Sequence, residues 1–283
     1  MSGQIIFVIW RESIEALLVI GILSSWLRRE AATGAVGARA GRYLWGGVGA
    51  GLGVALVFAA TVLGFAEIMP PVLREDMMTA MVFLAAGLIV QMVLWMRRHA
   101  RTLKRDLEWG LSSAARSGHW WTIFTLAAIA VAREGSETVV FLYGMLAGAA
   151  GTGLMGVLGA VAAGFVLAFA TYALMQLGSR LLPWGRFFRI SEVMLLLLGC
   201  ALFTTGLEKL VGAGILPFHA PLWDMGGILD DSGPVGGVLA SLTGYRAAPD
   251  WVTLAGWVGY WAFVTAALAF VSRRGRLAVQ RAG

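Results

Sequence analysis

The sequence predicts an all-α integral membrane protein with seven transmembrane helices, six of them forming an inverted 3+3 repeat and the seventh added at the C-terminal end. Three observations predict it. Hydrophobic residues fill 59% of the 283 positions and charged residues 13%, against about 25% charged in soluble domains. The apolar residues fall in unbroken runs long enough to cross a hydrocarbon core of about 30 Å, which takes roughly 20 helical residues. A charged pattern, R-E-x-x-E, also occurs twice inside such runs, as "RESIE" at 11–15 and "REGSE" at 133–137.

In chain order the runs are about 4–27, 43–66, 77–96, 120–147, 153–178, 190–211 and 251–271. They are continuous rather than alternating, which favours helices over barrel strands. The first run lacks the basic flank and cleavage site of a removable signal peptide and carries "RESIE", so it persists as a helix. The whole chain, 1–283, reads as a single transmembrane domain. It divides into a first three-helix unit at 4–96, a second at 120–211, an extracytoplasmic loop at 212–250 and a seventh helix at 251–271. Cys200 is the only cysteine, which excludes an internal disulfide and a thiolate metal cluster within one chain.

A sequence pI near 10.1 suggests nucleic acid until the basic residues are placed. Arg28, Arg29, Arg39 and Arg42 follow the first run, and Arg97, Arg98, Arg101, Lys104, Arg105 and Arg116 follow the third. Arg180, Arg186 and Arg189 follow the fifth, and Arg273, Arg274, Arg276 and Arg281 form the tail. These alternate connections belong in the cytoplasm by the positive-inside rule, so no nucleic acid is implied. The opposite connections hold Glu67, Glu75, Asp76, Glu208, Asp224, Asp230, Asp231 and Asp250. The expected location is therefore the cytoplasmic membrane, with the N-terminus outside and the C-terminus in the cytoplasm.

The two motifs lie 122 residues apart, and "GLGVALVFAATVL" from Gly51 matches "AAGFVLAFATYAL" from Ala162 at five of thirteen positions. A three-helix unit crosses the membrane an odd number of times, so its second copy is inverted. Gly47, Gly51, Ala160 and Gly164, at four-residue spacing, would let helices approach closely.

On a helix, residues three apart share a face, so Glu12 and Glu15 project together, as do Glu134 and Glu137. Arg11 and Arg133 stand four residues before the second glutamate of each pair, within pairing reach. Four carboxylates and two guanidinium groups leave a formal charge of about −2 in a medium where unpaired charge is costly. Such a site takes a cation. All-oxygen ligation suits ferric iron, magnesium, calcium or manganese, admits ferrous iron, and is poorly matched to copper(I). The plainer reading is a pair of ion-paired packing motifs. Met69, Met77, Met78 and Met81 offer either a thioether copper site or ordinary gap-filling. His99, His119 and His219 share no helix face. There is no Glu-x-x-His pair, nucleophile constellation or phosphate loop, so enzymatic di-iron chemistry and ATP hydrolysis are not implied.

The R-E-x-x-E pair in the first and fourth of seven helices resembles the signature of the high-affinity iron permeases, both the fungal ferric permease and the bacterial permease of the Efe uptake system. "LWMRRHAR" from Leu94 and "LWDMGGILDDSGPVGGVLASLTGYRAAP" from Leu222 are similar to the bacterial branch. The resemblance implies iron import without a cofactor, iron being the transported substrate. Glu12, Glu15, Glu134 and Glu137 would be the ion-binding glutamates, with Arg11 and Arg133 as their supports. It also implies a separate ferroxidase or periplasmic iron-delivery protein, since the chain starts at its first helix. Asp224, Asp230 and Asp231 would be weak oxygen ligands for arriving iron. Glu75 and Glu192 open helices 3 and 6, with Gln91 and Glu208 sixteen residues on, and are expected at the outer and inner mouths of the pathway. A proton-coupled exchanger or channel for another divalent cation, using the same glutamates, is the alternative.

Overall fold

The computed structural model describes residues 2–32, 39–99, 120–147, 153–177 and 184–280. Among them lie α1 (Ser2–Ala32), α2 (Arg39–Ile68), α3 (Pro71–His99), α4 (Trp121–Ala147), α5 (Leu154–Leu177), α6 (Trp184–Gly212), α7 (Pro234–Thr243) and α8 (Trp251–Gln280). No strand occurs among the described residues. Arg101, Lys104, Arg105, Arg116, His119, Arg180 and Arg281, used in the sequence reading, lie outside them.

Five helices, α2, α3, α5, α6 and α8, are long and apolar enough to cross a membrane. The two motif-bearing helices, α1 with 31 residues and α4 with 27, have the length but carry three charges each midway. Several helices overrun their apolar runs. The end of α1, "LRREAA", is built from strong helix formers that continue the hydrogen-bond ladder beyond the hydrocarbon. Leu56 and Val57 of α2 and Val166 and Phe169 of α5 are exposed. Apolar surface on that scale is untenable in water and ordinary against lipid tails, so the chain is a multi-pass membrane protein.

The helices pair in a crossed manner: α2 packs along α4, and α1 along α5. Both pairs run parallel, because contacts advance together along the two chains. A Cβ on Gly47 would overlap the Phe124 carbonyl oxygen, and one on Gly51 would stand 2.7 Å from the Ala128 oxygen. Four residues on, Gly135 of α4 meets Ala55. In the other pair a Cβ on Gly164 would come within 2.7 Å of Ile9 Cβ, and Trp10 Nε1 donates to Thr171 Oγ1 at 3.0 Å. The small residues therefore let backbones touch where lipid supplies no hydrophobic drive for association. The α3 helix packs on α4 and α6, and α8 leans on α6 and α3. A shared apolar core includes Val8, Ile89, Phe141, Leu195 and Val264.

The stretch 212–250, read above as a loop, contains α7. Gly233 precedes it in an extended conformation, Pro234 supplies a fixed φ at its first turn, and Gly244 ends it at φ 73°. Contacts that hold this region include the Gln4 amide donating to the Ser241 carbonyl and Trp257 Nε1 donating to the Thr243 carbonyl at 3.3 Å.

Candidate metal centre

The two motifs meet where α1 and α4 touch. Glu12, Glu15 and Glu134 each present a carboxylate oxygen, and the three oxygens lie within 4.8 Å of one another. Oxygens bound to one hard cation at about 2.0–2.6 Å can be no more than about 5 Å apart, so this spacing fits a single ion. Glu137 lies outside that triad. One of its oxygens accepts from Arg133 Nε at 2.9 Å, and the other is buried. Glu12 Oε2, Glu134 Oε2 and Glu137 Oε2 are all buried without a hydrogen-bond partner among the described residues. Orphaned buried carboxylate oxygens are costly unless something positive satisfies them.

The arginines are held differently. Arg11 is fully buried; its Nη1 donates to Glu12 at 2.6 Å and its Nη2 pairs with Glu15. The same two nitrogens reach the sulfur atoms of Met92 at 2.8 Å and Met96 at 3.2 Å, both from α3. Arg133 pairs with Glu137, and its guanidinium carbon stands 4.6 Å from the centroid of the Trp95 ring, again from α3. Residues 92, 95 and 96 share one helix face. One face of α3 thus holds both guanidinium groups. The sequence reading missed these supports, because a methionine or tryptophan in an apolar helix carries no signal that distinguishes it from packing.

The outlying acids sit elsewhere. Glu75 is exposed near the start of α3. Glu192 of α6 pairs with Arg97 of α3, a partner 95 residues away that no local spacing reveals. Glu208 pairs with Arg246, whose charge burial opposes but whose pKa the bound Glu208 carboxylate raises overall. Gln91 instead lines a groove on α3. Asp224 accepts from the Gly226 amide at 2.8 Å, Asp230 from the Ser232 amide at 2.9 Å and hydroxyl at 2.6 Å, and Asp231 from the Ala247 amide at 3.2 Å. The Ser232 hydroxyl, then its amide, holds Asp230 below the usual carboxylate range. Asp224 and Asp230 each shape their own turn, whereas Asp231 ties its loop to Ala247, sixteen residues on. His219 lines a cavity of about 370 Å³ with Glu208, Asp231, Arg246 and Asp250. Met81 packs against the apolar core.

Comparison with known proteins decides the family. The profile of the iron permease FTR1 family matches residues 3–280, nearly the whole chain. This chain belongs to the iron permease FTR1 family. The permease is 29% identical over 274 residues to the protein named ferrous iron permease EfeU from Escherichia coli O6:K15:H31 (strain 536 / UPEC), covering 92% of each chain. It is 28% identical over 285 residues to the protein of the same name from Escherichia coli O157:H7, covering 96% and 97%. Similarity to the iron permease EfeU of Bacillus subtilis (strain 168) is 30% over 225 residues, or 75% of this chain and 43% of that one. No solved structure matches it. The permease is a transporter rather than an enzyme, as the resemblance implied.

Proposed function

We propose that this permease imports iron across the cytoplasmic membrane through a midplane site between α1 and α4, with Glu12, Glu15, Glu134 and Glu137 as ligands. One observation carries the reading: three carboxylate oxygens from two different helices stand within 4.8 Å of one another in a buried setting. An arriving ion exchanges water for these oxygens, while Arg11 and Arg133 offset part of the charge when the ion has left. Glu137 joins through its second oxygen, which is buried and has no hydrogen-bond partner among the described residues. The family and the names of its relatives support iron as the substrate.

Counting α1 and α4 with the five apolar helices gives seven spans. An inverted repeat of α1–α3 and α4–α6 is supported by the pairing: exchanging the two units turns the α2–α4 contact into the α5–α1 contact, and both are parallel. Basic residues on alternate connections support an external N-terminus. The acidic opposite side would receive iron from a separate ferroxidase or delivery protein, with Asp224, Asp230 and Asp231 nearby. Glu75 at the outer mouth and Glu192 at the inner mouth would each hold the ion briefly. Glu75→Gln should then weaken apparent affinity for external iron, whereas Glu192→Gln should slow release.

The test is uptake of radiolabelled iron, ferrous and ferric in turn, into vesicles carrying the full chain. Each of Glu12→Ala, Glu15→Ala, Glu134→Ala and Glu137→Ala is expected to lose about 2–5 kcal/mol of ion binding, and with it nearly all uptake. Undiminished uptake in all four would end the proposal. Uptake of another divalent ion or of protons in place of iron would favour the exchanger.

A further inference from the structure

Between α3 and α8 runs a groove of about 620 Å³, bordered by Phe83, Gln91, Trp95 and Arg98 of α3, Phe203 of α6 and Phe263 of α8. That volume lies in the range of ligand pockets, about 300–1,000 Å³. All three helices are long and apolar enough to cross a membrane, so the groove opens to the bilayer rather than to water. From Phe83 to Arg98 the helix rises about 22 Å, more than half of a hydrocarbon core of about 30 Å.

Its two ends differ chemically. Phe83 and Phe203 stack edge to face at one end, with ring centroids 5.6 Å apart. Arg98 ends the α3 span at the other. Arg97 beside it is paired with Glu192, but Arg98 is exposed and makes no ion pair among the described residues. The groove's width comes from Gly87 on α3 and Gly259 on α8, where an added Cβ would meet nothing within 4 Å. A long apolar channel with the exposed Arg98 cation at the membrane boundary complements a single amphiphile, apolar along its length and negative at its head.

We propose that this groove binds an anionic phospholipid, its phosphate at Arg98 and one acyl chain lying along Trp95, Phe203 and Phe263. Trp95 also carries the Arg133 guanidinium 4.6 Å from its ring centroid. The bound chain therefore backs the indole that holds one arginine of the metal centre, which gives α8 a role beyond spanning the membrane.

The test places the full chain in phosphatidylcholine vesicles containing a small fraction of acyl-brominated phosphatidylcholine or acyl-brominated phosphatidylglycerol. Bromine quenches neighbouring tryptophans, and the quenching lost in Trp95→Phe reports the groove. At equal mole fraction the anionic lipid should occupy it about fivefold more effectively, the preference expected from one basic side chain at a membrane surface. Gly259→Leu, which fills the groove, should abolish Trp95 quenching by either lipid, whereas Arg98→Gln should remove only the anionic preference. Equal quenching by the two lipids in the native chain would overturn the proposal, as would undiminished quenching in Gly259→Leu. Loss of the preference on adding inorganic phosphate would instead mark Arg98 as a free-anion site. A cross-linked dimer with no Trp95 quenching would assign the groove to a second copy of the chain. If Gly259→Leu fails to fold, Arg98→Gln alone decides. Iron is absent from these measurements, so their failure is distinguishable from failure of the transport proposal.

Discussion

Arg11 and Arg133 occupy the same place in the same five-residue motif, yet Arg11 has no exposed surface and Arg133 keeps 35%. Arg11 is bound by both glutamates of its own motif and by two thioether sulfurs. Among the described residues Arg133 takes only Glu137 and an indole face. The same R-E-x-x-E pattern has produced a locked half and a looser half. The consequence lies in the glutamates: because Arg133 bonds Glu137, Glu134 is left to join Glu12 and Glu15. The asymmetry comes from what α3 presents to each motif.

The comparison can be broken most directly at the arginines. Arg11→Ala leaves two carboxylates uncompensated in a sealed setting and should cost about 3–5 kcal/mol, whereas partly exposed Arg133→Ala should cost well under half of that. Thermal unfolding in detergent measures both, and equal losses would remove the distinction. Replacing Met92 and Met96 together by leucine keeps the volume but removes the sulfur acceptors. A loss of about 1–2 kcal/mol is expected if the sulfurs accept from Arg11, and almost none if they merely fill space. Trp95→Leu should cost about 1 kcal/mol through loss of the cation–π contact, with Trp95→Phe retaining part of it. The smallest effect lies outside the membrane. Ser232→Ala should raise the Asp230 pKa toward the ordinary value of about 3.9. Because the folded-state pKa is depressed, the contribution of this turn is present above about pH 4 and is lost as pH falls through the folded value. Carboxyl NMR titration of the native and Ser232→Ala chains checks the sign.

What the sequence disclosed follows the range of each interaction. The pairs Arg11–Glu15 and Arg133–Glu137 are i,i+4 neighbours and can be read off a helix, and the long apolar runs locate the long helices, whose ends overrun them. The close approach at Gly47, Gly51 and Gly164 was also visible, because small residues recur at helical spacing. Met92, Trp95 and Met96 were not, since their role depends on how α3 is placed against α1 and α4. The Glu192 partner Arg97 was hidden for the same reason: it comes from a different helix. Nor does spacing distinguish Glu137 from its three companions; only the position of the Arg133 guanidinium does. In the 212–250 stretch, Pro234 and Gly244 at helix-boundary positions were the available signal for α7.

The glycine contacts bear on how the molecule can deform. Where backbones touch at Gly47 and Gly51, and again at Gly164, sliding would drive carbonyl groups and side chains into one another. Each parallel pair is therefore a welded plank, and the natural slip plane lies between the planks. Glu12 and Glu15 ride on the α1–α5 plank, and Glu134 and Glu137 on the α2–α4 plank. A shift along that plane would part Glu12 and Glu15 from Glu134 and Glu137 without unwinding a helix. Each plank also takes one helix from either half of the chain, α1 and α2 coming from the first and α5 and α4 from the second.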